Sequence, residues 1–360
     1  MKSISHITMA ACTAVIMFVS TAGVKAQVIP ADDNHFLVHF SIAWENSWRG
    51  EISDAEDALT VTGPGGTSIG HEGAHTGLEG WDAAWLFVKY RTGAEPWKHA
   101  LLNDEGHLVP EGVSLVPGLL NPEQAYHPEN NPVVGYFLYR DDNGFGRFSA
   151  DGVKLSLDYA RNGLSADMPL EVRLFAVEME YIPAWESASA APFYMMKEQV
   201  TEQQFVDFLN TLSAEDQMRH TTASPFSSGG TAAMDAGSQG CSGIRIIFPA
   251  YEMNGKQFPA EYMTENPGGS CDFLSRESIQ AFLGWSGQRN LNRQEVEMAE
   301  NWIVFRNEKY RRLNQDNTIL GGSIGNDGLA AGYRGARSAV PAHGGSLNPI
   351  TRAQLTPPKR

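Results

Sequence analysis

Between residues 35 and 181 the sequence repeats one pattern: a short run of β-forming residues, then a turn cluster. His35 to Trp44, Trp85 to Tyr90, Val133 to Tyr139 and Glu171 to Tyr181 are rich in branched and aromatic side chains. Val153-Lys154-Leu155-Ser156-Leu157-Asp158-Tyr159 alternates apolar and polar, so one face is buried and the other wet. Asp141-Asp142-Asn143-Gly144 and Arg161-Asn162-Gly163 supply turns between the runs. Short strands with no helical period between them predict an antiparallel β-sandwich.

The pattern changes after Ile182-Pro183. Thr201 opens a helix with capping-box spacing to Gln204, and Phe205, Phe208, Leu209 and Leu212 form its stripe. Ser275 caps a second helix carrying Ile279, Phe282 and Leu283 and closed by Gly287. Asn292 and Glu295 start a third, with Val296, Ala299 and Ile303 as its buried edge. The Ser-, Gly- and Thr-rich stretch from Thr221 to Gly243 is expected to be irregular. The class is therefore α+β: residues 27–182 as a sandwich, 183–340 as an irregular helical unit, and a Pro- and Gly-rich tail over 341–360.

Residues 1–26 read as a secretory signal, with Lys2, an apolar run from Met9 to Val19, and the small Ala26 at the cleavage point. The run is shorter than a spanning helix, and no later stretch is long and apolar enough to cross a membrane. Export to a periplasm, a cell surface or the medium is the expected location. Removing the signal takes away two lysines and no acid, leaving 25 basic against 42 acidic side chains, a net of −17. Such a charge disfavours nucleic acid as a partner. In an oxidising compartment Cys241 and Cys271 are expected to pair, with two separate thiols as the alternative.

Three segments of the second unit, in order, resemble the sulfatase-modifying-factor family, that of the formylglycine-generating enzyme. Pro192-Phe193-Tyr194-Met195 with Glu198-Gln199-Val200-Thr201 and Phe208-Leu209-Asn210 is similar to the family's opening strand, its "EVT" turn and its "FLN" helix end. Cys271-Asp272-Phe273-Leu274-Ser275 with Gly284-Trp285-Ser286-Gly287 resembles the serine-capped helix ending "WAG". Arg289, Glu295 and Glu297 match the arginine and part of the "TExE" stretch that follow. Gly332-Tyr333-Arg334 resembles the closing "GFR" strand. Trp44 to Arg49 and Trp81 to Arg91 are similar to a domain that precedes this module in secreted bacterial proteins.

The resemblance implies a C-type lectin-like fold for the second unit, and the departures from the family bear on chemistry. The long segment holding a "GNVWEW"-type motif and metal loops is mostly missing between Trp302 and Gly332. Catalytic members hold copper through two cysteines near the end, and no cysteine follows Cys271. Iron-using relatives need a histidine cluster, and the second unit offers His220, with His343 in the tail. No catalytic, cofactor or metal ligand is carried over, and calcium or copper would require rebuilt sites. The expected function is that of a non-catalytic surface or envelope protein, a pseudoenzyme that binds a protein or glycan or builds an assembly. The alternative is a metal-dependent oxidoreductase acting on a thiol or sulfur compound.

Four motifs remain. His71-Glu72-Gly73-Ala74-His75 spells a zinc-protease signature, but it sits among glycines that oppose the helix this chemistry needs. Asp141-Asp142-Asn143-Gly144 lacks the alternating carboxylates of a calcium loop and reads as a hairpin turn. His35 and His39 share a strand face and are expected to be solvated rather than to hold a metal. Trp44, Trp48, Trp81 and Trp85 are explained by core or interface packing, with a sugar- or partner-binding platform as the alternative.

Overall fold

The computed structural model describes residues 18–19, 22–23, 25–32, 34–52, 59–61, 67–69, 78–122, 124–184, 190–234, 241, 243–271, 274–299, 302 and 336–338. The chain is α+β, and its strand ladders are antiparallel. The longer strands before the first helix are β1 (Lys25–Pro30), β2 (His35–Ile52), β3 (Leu78–Thr92), β4 (Val113–Leu119), β5 (Val133–Arg140), β6 (Gly144–Asp158), β7 (Leu170–Ile182) and β8 (Phe193–Met196). Helices α1 (Glu202–Leu209) and α2 (Ala214–His220) follow. Then come β9 (Ile244–Phe248), β10 (Tyr251–Met253), β11 (Lys256–Phe258), β12 (Glu261–Thr264), α3 (Arg276–Ser286) and β13 (Ala336–Ser338).

Strand β3 organises the molecule. One edge pairs along its length with β7; the other meets β2 near Trp81 and β5 from Ala84 to Leu86. All ten residues from Trp81 to Tyr90 are buried. Ala84, Leu86, Val88 and Tyr90 pack with alternate residues of β2 and β6. Trp81, Ala83, Trp85 and Phe87 pack on the opposite side with α1, α3, β9 and β12. Both faces of the sheet are therefore covered, one by strands and the other by the helical half.

The same sheet continues through β7, β8 and β13. The boundary expected after residue 182 falls between β7 and β8, which pair at Tyr181 with Tyr194 and at Ile182 with Phe193. A third cluster mixes the halves again, with Trp48 and Ile182 against Phe193, Leu291, Met298, Trp302 and Ala336.

Local signals set the helix ends. Thr201 and Gln204 form the capping box at α1, and Ser275 accepts from the Ser278 amide at α3. Gly287 closes α3 at φ 70°, a left-handed cap that costs glycine little. Asn292 and Glu295 exchange side-chain-to-backbone bonds of 2.9 Å at the start of helical residues 293–299.

One turn differs from expectation. Asp141 to Asn143 connects β5 to β6, yet β5 pairs with β3 and β4 while β6 pairs with β2. The segment is a corner between layers, not a hairpin, because the apolar faces of its two strands belong to different ladders. No helix among the described residues is long and apolar enough to cross a membrane.

Candidate functional site

The four tryptophans offered as a binding platform are all buried, with Trp81 the most exposed at 8%. Core and interface packing, the first explanation, accounts for them, and the platform alternative does not, because each ring is used inside. The Trp44 indole donates to Asp82 at 3.0 Å and the Trp85 indole to the Ser286 carbonyl at 2.8 Å. Trp81 stacks on Tyr181 at 4.0 Å, and Trp48 stacks on Trp302 at 6.2 Å.

Cys241 and Cys271 are bonded to each other, with Cα atoms 4.5 Å apart. Neither therefore presents a thiolate to copper, and the residues do not fit that group. Among the described residues no three His, Cys, Asp or Glu side chains gather as metal ligands would. His35 bonds Asp32 at 3.0 Å, and His39 lies four residues along the same strand. That spacing is roughly 13 Å, too far for one ion. Glu295 is spent on a bidentate pair with Arg289 at 2.7 and 2.6 Å. The His71 to His75 motif, the Gly332 to Arg334 motif, the tail and most of the expected signal lie outside the described residues.

Two interior polar groups join the halves. Asp82 accepts from Trp44, from the Ser47 hydroxyl at 2.9 Å, from the Trp48 amide at 3.0 Å and from Lys197 at 3.0 Å. Burial pulls Lys197 down, but Asp82, Glu178 and Glu180 outweigh it and hold the amine above its ordinary value. This is a buried pair with its acceptors satisfied, the arrangement in which removing one partner costs most.

The second group lies on the helix side of β3, at the C-terminal end of α3. Lys89 bonds His99 at 3.1 Å, and His99 bonds the Val134 carbonyl at 2.6 Å. Arg337 donates to the Gly287 and Leu119 carbonyls and stacks over Trp85 at 4.1 Å. Cations suit a helix C-terminus, where the last carbonyls concentrate partial negative charge. Burial brings Lys89 down to about 7. Burial, then the Lys89 and Arg337 charges, bring His99 to about 3 against the opposing Val134 and Trp285 carbonyls. Sequence reasoning passed over Lys89, although a lone charge inside Trp85-Leu86-Phe87-Val88-Lys89-Tyr90 was the signal available.

The surface offers a different feature. Residues β10 and β11 form a hairpin across Asn254-Gly255, both at positive φ (54° and 71°), a turn that suits the strand twist. The register puts Tyr251, Met253, Lys256 and Phe258 on one face, and Tyr251 stacks on Phe258 at 4.8 Å. Phe248, Tyr251 and Met253 are 63%, 51% and 53% exposed. Met263 on β12 and Phe226, which follows the Pro225 carbonyl bonded to the Ala250 amide, are exposed as well. Below the hairpin, the β9–β12 ladder is firmly seated. Asn210 bonds both the amide and the carbonyl of Tyr262, at 2.8 and 2.9 Å.

No family model, curated protein or solved structure matches this chain.

Proposed function

We propose that this chain is an exported, non-catalytic docking protein of a shortened sulfatase-modifying-factor type, which seats the Tyr251 to Phe258 hairpin on a protein partner of the envelope or cell surface. The supporting observation is the hairpin itself. Isolated two-stranded hairpins are marginally stable in water, and this one keeps its aromatic and methionine face outside the core. Aromatic side chains concentrate at binding hot spots, and methionine adapts to irregular apolar partners. A glycan platform would set a ring flat to the sugar with polar groups around it. Here the two rings lie against each other, and Met253 and Lys256 share their face. Support for a C-type lectin-like second unit is the placing of α1 and α3 at the residues where the resemblance put them.

A photocrosslinking amino acid placed at Tyr251 in cells tests the reading, with the same group at exposed Met168 as control. A discrete crosslinked protein is expected from position 251, and Met253→Glu should abolish it. Equal crosslinking from 251 and 168, or a glycan ligand that requires Tyr251, would overturn the proposal.

A further inference from the structure

We propose that the Asn254-Gly255 turn is a self-modification site, at which the Gly255 nitrogen closes on the Asn254 side chain and converts it to aspartate or isoaspartate, the latter unlatching the hairpin. The substrate is the chain itself. Asn-Gly pairs cyclise in this way most freely, because glycine carries no Cβ to shield its nitrogen. The sequence holds three, Asn143-Gly144, Asn162-Gly163 and Asn254-Gly255, and the fold treats them differently.

At Asn162 both reacting groups are held. The residue is buried; its Oδ1 accepts from the Leu101 amide at 2.8 Å, and its Nδ2 donates to the Leu101 and Asp158 carbonyls, each at 2.9 Å. The Gly163 nitrogen donates to the Ala160 carbonyl at 2.9 Å. At Asn143 the side chain is exposed, but Gly144 is buried and opens β6, whose ladder with β2 runs on to Asp158. Asn254 and Gly255 are both exposed, and among the described residues no hydrogen bond engages the Asn254 side chain or the Gly255 N–H. Cyclisation also needs the turn to rotate until the Gly255 nitrogen reaches Asn254 Cγ. The short strands β10 and β11 form a sheet of their own, and a two-stranded ribbon of that length opens at little cost.

The reaction balances without an oxidant. The Gly255 nitrogen bonds to Asn254 Cγ, and the side-chain nitrogen leaves as ammonia, carrying the Gly255 amide proton with it. Water then opens the cyclic imide, its hydroxyl going to a ring carbonyl and its proton to the ring nitrogen. Opening at Cγ leaves aspartate. Opening at the backbone carbonyl leaves isoaspartate, whose main chain runs through the side-chain carbons. Isoaspartate lengthens the main chain inside a two-residue turn, whose type depends on that length. Tyr251 and Phe258 then lose the register that stacks them.

Ageing the full chain at pH 8 and mapping its peptides reads the amide-to-acid mass gain at each pair, with an isoaspartate methyltransferase reporting the isomer. Asn254 is expected to convert at least about tenfold faster than Asn162, with Asn143 between them. In guanidinium chloride the three should converge, because only the fold sets them apart. Asn254 converting no faster than Asn162 in the folded chain would overturn the proposal, and so would a ranking that guanidinium leaves unchanged. The effect on docking rests on the reading above. A fresh chain that crosslinks from position 251 should lose that crosslink as isoaspartate accumulates at 254, and a crosslink that survives full conversion would sink this link. No crosslink from the fresh chain would sink docking itself, and the mass ranking would still decide the modification.

Discussion

At the scale of single residues, the interior carries titratable groups whose folding costs change with pH in opposite directions. Burial pushes the Asp207 carboxyl up to about 8, against the Gln203 hydrogen bond and the Arg173 charge that favour ionisation. One of its oxygens has no partner. Between about pH 4 and 8 the folded chain therefore holds a proton that the unfolded chain releases. Stability should fall as pH rises through that window, by at most about 1.4 kcal/mol per unit. Asp207→Asn removes the titration, so its gain over the parent should be small at pH 4 and on the order of 2–4 kcal/mol at pH 8. Urea unfolding at both pH values checks this, and a gain independent of pH would contradict it. Lys89 slopes the other way. Its folded value is lowered, so its burial costs most below about pH 7, and that cost disappears as pH climbs past the ordinary lysine range.

At the scale of elements, the sequence was most legible where the signal is local. The Thr201–Gln204, Ser275–Gly287 and Asn292–Glu295 pairings each bond within a few residues, so spacing alone located them. Ser275→Ala should cost about 1 kcal/mol, since it leaves the Ser278 amide without its capping oxygen. The shift in thermal midpoint measures it, with Ser275→Asp expected to restore most of the loss. Two elements escaped notice for different reasons. Helix α2, capped by Ser213, is seven residues long and too short to show an apolar stripe. The Asn254-Gly255 hairpin had the strongest short-range turn signal, but its three-residue strands are too brief to show alternation. The tryptophans were ambiguous because composition cannot say which face of a strand is covered. Only the pairing of β3 with β2, β5 and β7 shows that both are.

At the scale of the molecule, the sheet overrides the division that composition drew at Ile182-Pro183. A change of pattern marks where helices begin, not where packing stops. Trp85 reaches the end of α3, Lys197 pairs with Asp82, and Trp302 donates to Glu180 at 2.7 Å. Long-range contacts of this kind leave no trace in local spacing, so they were unreadable from the chain. Heat unfolding monitored by tryptophan fluorescence and by far-ultraviolet circular dichroism should give one coincident transition. Two separated midpoints would show the halves melting independently.

A strand walled on both sides also sets a limit on how this protein can be handled. A fragment stopping at residue 182 would present Trp81, Trp85, Phe87, Phe175 and Val177 to water as one continuous greasy sheet, a surface that collects copies of itself. The first half would reach solution only in company with the second.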